Sequence, residues 1–183
     1  MNKILTSILM TAIPVFAFSQ VIIEPGPKTA PTNSSVSMEF GDHQNKGIVI
    51  PYVAATNVKT PISDGTFIMD PSDRIMKFRE NGAWRDLTGP ATKTNAVDVS
   101  IQQDKDPVAE EIAKTVIGKE NINDNTRGIL ILTDTDKAMI LPRVALPHLN
   151  IKNPAAGMMA YDTVNKQLAV FNGTQWTFWQ ATR

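Results

Sequence analysis

One pattern occurs twice in this chain, and it limits the fold more than any other feature. Residues 46–54 (KGIVIPYVA) align with 137–145 (KAMILPRVA), so that Lys, Pro, Val and Ala coincide at an offset of 91. Farther on, 65–70 (GTFIMD) matches 157–162 (GMMAYD) at an offset of 92. Asn81-Gly82 then matches Asn172-Gly173, and Trp84 matches Trp176. Upstream, 36–40 lies opposite 127–131, and Pro61 pairs loosely with Pro154. A fixed order of events at a fixed period marks a supersecondary unit used twice. The first repeat is read over 20–89, the connection over 90–112 and the second repeat over 113–183.

Each repeat ends in a run of short β-branched and apolar segments split by turn residues, which is strand chemistry. In the second, 157–162, 167–171 and 175–180 read as three strands of an antiparallel meander. The pair Asn172-Gly173 is a hairpin turn signal, because both central positions need positive φ. The first repeat has the same layout, with Asn81-Gly82 at its tight turn. Its segment 75–80 is one residue longer than its counterpart, which predicts a bulge or a shifted turn. Further strands are expected at 21–23, 35–40, 48–50, 96–101, 115–117, 128–132 and 139–141. One helix is expected, in the connection: Asp106 as cap, Pro107 at the first helical position, then 108–113. The fold class is therefore mainly β: two tandem antiparallel β-meander repeats with one short helix in the connection.

Strand side chains alternate between faces. In the first repeat Phe67, Met69, Met76 and Phe78 share an apolar face, while Ile75, Lys77 and Arg79 make the other mostly polar. In the second, Met159, Tyr161, Leu168 and Val170 form one face, and Met158, Ala160, Ala169 and Phe171 make the other apolar as well. A sheet apolar on both faces needs two covers. The second cover is either another part of the chain or a second copy, so Met158, Ala160, Ala169 and Phe171 are candidate subunit-interface residues.

The first twenty residues, MNKILTSILMTAIPVFAFSQ, place Lys3 before an apolar stretch and close with small residues at Ala17 and Ser19. This is a secretory signal pattern over 1–19, too short for a membrane span, and no later segment approaches one. Its removal takes Lys3 alone and leaves 17 basic against 18 acidic residues. That balance argues against a nucleic-acid partner. The chain has no cysteine, so an exported product must be held by sheet pairing, core burial or subunit association. The expected location is secreted or cell-surface, with the periplasm a third possibility, and the lack of cysteine suits a bacterial protein.

Candidate chemistry is sparse. Asp134 and Asp136, with Asn121, Asn123, Asp124 and Asn125, are oxygen-rich enough for calcium but lack the spacing of a calcium hand, and Asp and Asn are ordinary turn residues. No metal site and no cofactor are assigned. The glutamates Glu24, Glu39, Glu80, Glu110, Glu111 and Glu120 are scattered, and nothing singles out an acid and a base for glycoside chemistry. His43 lies in a turn with Asp42 and His148 in a loop after Pro147, and there is no Gly-x-Ser-x-Gly elbow. The chain is therefore read as no enzyme, with no catalytic residue. Trp84 and Trp176 recur at one repeat position, as closing residues would. Trp179 and Tyr52 have no repeat partner, and they are the candidate ligand-binding aromatics for stacking on sugar rings.

Residues 127–179 carry a resemblance. The run G-apolar-Leu, Lys-x-apolar-Leu-Pro-Arg-Val, Asn-Pro-x-x-Gly-x-x-x-Tyr-Asp, Asn-Gly-x-x-Trp is similar to the C-terminal region of uncharacterised secreted β-repeat proteins of flavobacterial and other Bacteroidota type. The portion Gly-x-x-x-Tyr-Asp to Asn-Gly-x-x-Trp also resembles runs near the ends of phage tail-fibre and other surface β-proteins. The first repeat departs from the pattern, with Tyr52 for the basic residue and Met69 for the tyrosine. The resemblance implies a surface-exposed β-protein and transfers no catalytic residue. The expected function is that of an exported, non-enzymatic structural and interaction protein, adhesive or fibre-like. Its partners would be further copies of itself, or a surface glycan or protein. The alternative is a carbohydrate-binding module using exposed aromatics.

Overall fold

A computed structural model describes residues 20–23, 32–41, 45–93, 97–100, 114–118 and 126–181. The signal segment 1–19 and the helix expected over 107–113 lie outside the described residues.

The fold is mainly β. The strands, in order, are β1 (Val21–Ile23), β2 (Val36–Phe40), β3 (Ile48–Val49), β4 (Phe67–Asp70), β5 (Ile75–Glu80), β6 (Ala83–Asp86) and β7 (Thr115–Ile117). They continue as β8 (Leu130–Leu132), β9 (Ala138–Ile140), β10 (Arg143–Val144), β11 (Met158–Asp162), β12 (Gln167–Phe171) and β13 (Trp176–Trp179). Among the described residues they are interrupted by a 3-10 turn at Ala55–Asn57 and an α-turn at Pro147–Asn150. The strand expected over 96–101 is absent from its described part: 97–99 is bend and irregular chain and Ser100 is in 3-10 conformation. Val97 instead packs against the core as a single side chain.

Among the described residues the strands form four sheets: β1-β2-β9, β4-β5-β6, β7-β8, and β10-β11-β12-β13 with β3 added beside β11. The two meanders are antiparallel. Of the segments upstream of them, β3 pairs antiparallel with β11, but the others differ. β1 with β2, β2 with β9, β7 with β8 and β10 with β11 all pair in parallel. The hydropathy pattern of a short strand is the same for either direction, so the sequence carried no signal for this.

Both meanders are built on the same hydrogen bonds. Gly65 N donates to Arg79 O at 2.9 Å, and Gly157 N to Phe171 O at 2.8 Å. Both glycines have positive φ, +85° and +73°, which suits a residue without a Cβ. Met69 N donates to Pro51 O at 2.9 Å, and Tyr161 N to Pro142 O at 2.8 Å. Each Pro-x-Val therefore runs parallel to the strand that follows the glycine, and each leads into a helical turn. The turns after β4 and β11 each carry a left-handed basic residue, Arg74 and Lys166.

The second tight turn differs from expectation. Asn81 and Gly82 do occupy a two-residue turn, with φ of +50° and +70°. Asn172, however, precedes its turn: its N–H donates to Gln175 O at 3.2 Å, and Gly173-Thr174 form the tip. Glu80–Ala83 and Asn172–Gln175 are thus the matching pairs, and the offset stays at 92 where aligning the Asn-Gly dipeptides made it 91. The turn is shifted, and no bulge is needed.

The meanders face each other. Met69, Met76 and Leu87 of the first pack with Ala156, Met159 and Val170 of the second in one buried cluster. Ile48, Ile50 and Tyr52 line its border. At roughly 25 cal/mol per Å² of apolar area removed from water, this cluster is the main source of cohesion between them.

Candidate functional site

The second face of β11-β12-β13 has its cover within the chain. Val144 and Ile151 pack on Ala160, with Met158 and Trp176 at the margin. The ring of His148, in the Pro147–Asn150 turn, meets Phe178 edge-on at 5.5 Å, and Phe171 packs on Trp176 at 5.2 Å. Of the four candidate interface residues, Ala160 and Ala169 are fully buried, Phe171 is buried and Met158 is half-buried. The sequence signal that could have shown this cover is Pro147 at a helix start. A four-residue turn is too short to display periodicity.

Two aspartates fix the ends of the paired strands. Asp162 is fully buried. Its carboxylate accepts hydrogen bonds from the N–H groups of Leu146 (3.2 Å), Val164 (3.0 Å) and Asn165 (3.3 Å). It also accepts from Asn165 Nδ2 (2.8 Å) and Gln167 Nε2 (3.4 Å). Burial alone would raise its pKa, but the bonds from Asn165, Val164 and Leu146 outweigh burial and hold it at about 2. Asp70 holds the matching place. It accepts from Ala55 N (2.9 Å) and Ser72 N (2.9 Å), as Asp162 does from Leu146 and Val164. Burial again works upward and is outweighed by bonds from Ser72 and Ala55 and by the Lys77 charge, so its pKa is lowered. Each aspartate thus ties its helical turn to its strand. Both carboxylates are consumed by structural donors, which leaves them unsuited to acid–base work.

Other polar groups are also spoken for. Lys77, buried on the face expected to be polar, pairs with Asp73 and, at 3.2 Å, with Asp86. Its pKa is pushed down by burial and up, by more, by those two carboxylates. Asp134 of the oxygen-rich cluster accepts from Ser37 Oγ and Lys137 Nζ, both at 3.1 Å. Asn121–Asn125 and His43 lie outside the described residues. Among the described residues, no group of three or more His, Asp or Glu could hold a metal.

The structure places the two candidate ligand-binding aromatics apart in character. Tyr52 is half-buried at the border of the core, and its hydroxyl donates to Ala156 O at 3.0 Å. Burial, with the nearby Asp98 charge, raises its pKa. Its ring packs against the cluster that joins the meanders. Trp179 is 48% exposed, and its indole N–H donates to Leu87 O at 2.9 Å. An open hollow of about 300 Å³ lies between the 139–143 segment and β11, lined by Met139, Ile140, Leu141, Arg143 and Tyr161. No motif in the sequence marks it, because it forms only when the 139–143 segment is laid beside Tyr161.

Residues 116–182 match a family model described as a phage tail like trimerisation region. The match covers the second meander and its approach, and it accords with the tail-fibre resemblance drawn from the same residues. No curated protein and no solved structure matches the chain. Among the described residues, no helix is long and apolar enough to cross a membrane.

Proposed function

We propose that this chain is an exported structural protein that works as a homotrimer in a fibre-like assembly at the cell surface or outside it, and that it performs no catalysis. The observation that carries the reading is the match of 116–182 to a phage tail like trimerisation region. The consumption of both buried aspartates by backbone donors supports the non-enzymatic part. In this reading 20–89 and 113–183 are two copies of one unit, joined by 90–112, and adhesion is the task of the assembled particle. Light scattering after gel filtration tests it. The expected result is three times the chain mass, and a monomer at micromolar concentration would overturn it.

A second reading, glycan binding, has one observation in its favour: the exposed ring of Trp179. It requires Trp179→Ala to abolish retention on a polysaccharide column while the circular dichroism spectrum is kept.

A further inference from the structure

The contact between the two meanders is asymmetric, and each meander has an unused half. In the first, Met69, Met76 and Leu87 are buried, under Met159 and Val170 of the second. The residues of the second meander at the places of Met69, Met76 and Leu87 are Tyr161, Leu168 and Trp179. Tyr161 and Leu168 are half-buried and Trp179 is 48% exposed. Conversely, the places of Met159 and Val170 are held in the first meander by Phe67, 36% exposed, and Phe78, half-buried. These two rings stack on each other at 6.1 Å. One end of each meander is therefore buried and the other only partly covered: Phe78 and Leu168 still pack against the shared cluster, while Phe67 and Trp179 keep exposed rings.

The backbone shows the same asymmetry. β3 lies antiparallel along β11, with Ile48 opposite Met159 and Ile50 N donating to Gly157 O at 3.2 Å. The matching edge of β4 carries only the bridge from Tyr52 to Met69. Among the described residues no strand runs beside Phe67 on that edge. Because Met69 N and O both point to this edge, alternation points those of Phe67 there too. The strand matching β3 is β9, and it is an edge strand. Ala138 N donates to Ser35 O, so Ala138 and Ile140 face β2, while Met139 and Leu141 turn their N–H and C=O groups outward. Those are the residues matching Ile48 and Ile50. Their side chains line the open hollow beside Tyr161.

We propose that β9 of one copy pairs antiparallel with β4 of the next, repeating between chains the contact that β3 makes with β11 within a chain. The occupant of the β4 edge is a second copy of this chain. Met139 would lie opposite Phe67 and Ile140 opposite Thr66, with the partner's Phe67 ring filling the hollow lined by Met139, Leu141 and Tyr161. Such an interface is head-to-tail, since different surfaces meet, and it forms a ring when the rotation closes. Resting on the trimer reading above, it closes with three copies and six meanders. Pairing also protects a sheet edge that would otherwise be open to aggregation.

Engineered cysteines test the register, because the chain has none of its own. Thr66 and Ile140 would form a non-hydrogen-bonded pair, where side chains lie close enough for a disulfide. The full chain carrying Thr66→Cys and Ile140→Cys should run as a covalent trimer on a non-reducing denaturing gel, while each single variant stays a monomer. Met139→Pro removes only an outward N–H, which an edge strand tolerates, and Phe67→Lys alters an exposed side chain. Both should lower the solution mass threefold with the circular dichroism spectrum kept. If the unmodified chain is a trimer but no cross-link forms and both variants remain trimers, the pairing is wrong and self-association stands. If the unmodified chain is a monomer, both are wrong. Cross-linked bands larger than a trimer would overturn closure at three copies.

Discussion

Replacing Asp162 by asparagine separates charge from shape at the most constrained polar site of the chain. A folded pKa of about 2, against an ordinary 3.8, is a difference of nearly two units. At 1.36 kcal/mol per unit, the ionised form stabilises the fold by about 2 kcal/mol. Asparagine keeps one carbonyl acceptor for Val164 N and Leu146 N, but it loses the charge and turns an amide toward Asn165 Nδ2. Asp162→Asn should therefore cost about 2 kcal/mol at pH 7. Because the folded pKa is the lower one, the stabilisation is complete above the unfolded pKa and is lost as pH falls through the folded one. The gap between wild type and variant should shrink to about half a kcal/mol at pH 2. Urea titrations at fixed protein concentration, at pH 7 and pH 2, measure it; the concentration must be fixed because assembly adds to apparent stability. A gap of equal size at both pH values would show that Asp162 acts through packing, and the charge argument would fail.

Asp70→Asn should show the same sign of pH dependence with a smaller loss, about 1 kcal/mol, since Asp70 accepts fewer bonds. Gly65 and Gly157 separate backbone strain from packing. Both have positive φ, but an added Cβ at Gly65 meets nothing within 4 Å, whereas at Gly157 it lies 3.1 Å from Met69 Cβ and 3.3 Å from Ile50 Cγ1. Gly65→Ala should cost about 1–2 kcal/mol, and Gly157→Ala about 1–3 kcal/mol more by denaturant titration, because it wedges the meanders apart. Phe171→Lys buries an ammonium against Trp176, so the melting temperature should fall steeply while the solution mass of the folded fraction is kept. A lowered mass with an unchanged melting temperature would instead place Phe171 at a subunit interface.

The alternation along Phe67–Met69, Met76–Phe78, Met159–Tyr161 and Leu168–Val170 is local, and the sequence therefore shows which faces of the meanders are apolar. Strand positions were legible for the same reason, since β-branched runs bounded by Gly, Asn and Asp leave little choice. Pairing direction was not legible. Val36–Phe40 and Ala138–Ile140 pair in parallel across just over a hundred residues, and neither strand alone encodes that partner. The roles of Asp70 and Asp162 were half visible. Each ends a strand in both repeats, which marks the position, but the donors at Ala55 and Leu146 are brought in only by the parallel bridge. Lys77 and Tyr52 show the same limit: the burial of a charge or a hydroxyl becomes legible only once its partners, Asp73, Asp86 and Ala156 O, are in place.

The chain has no cysteine, so its cohesion comes from burial and sheet pairing, and burial shared between copies would add to it. Here the core is finished between the two meanders and unfinished at both outer ends. The unfinished ends carry Phe67 on one side and Trp179 on the other, large aromatic rings whose desolvation is worth more than that of the methionines and valine inside. The Phe67 ring would lose its exposure under Met139 and Leu141 of a neighbouring copy, which is the cover that the proposed ring supplies.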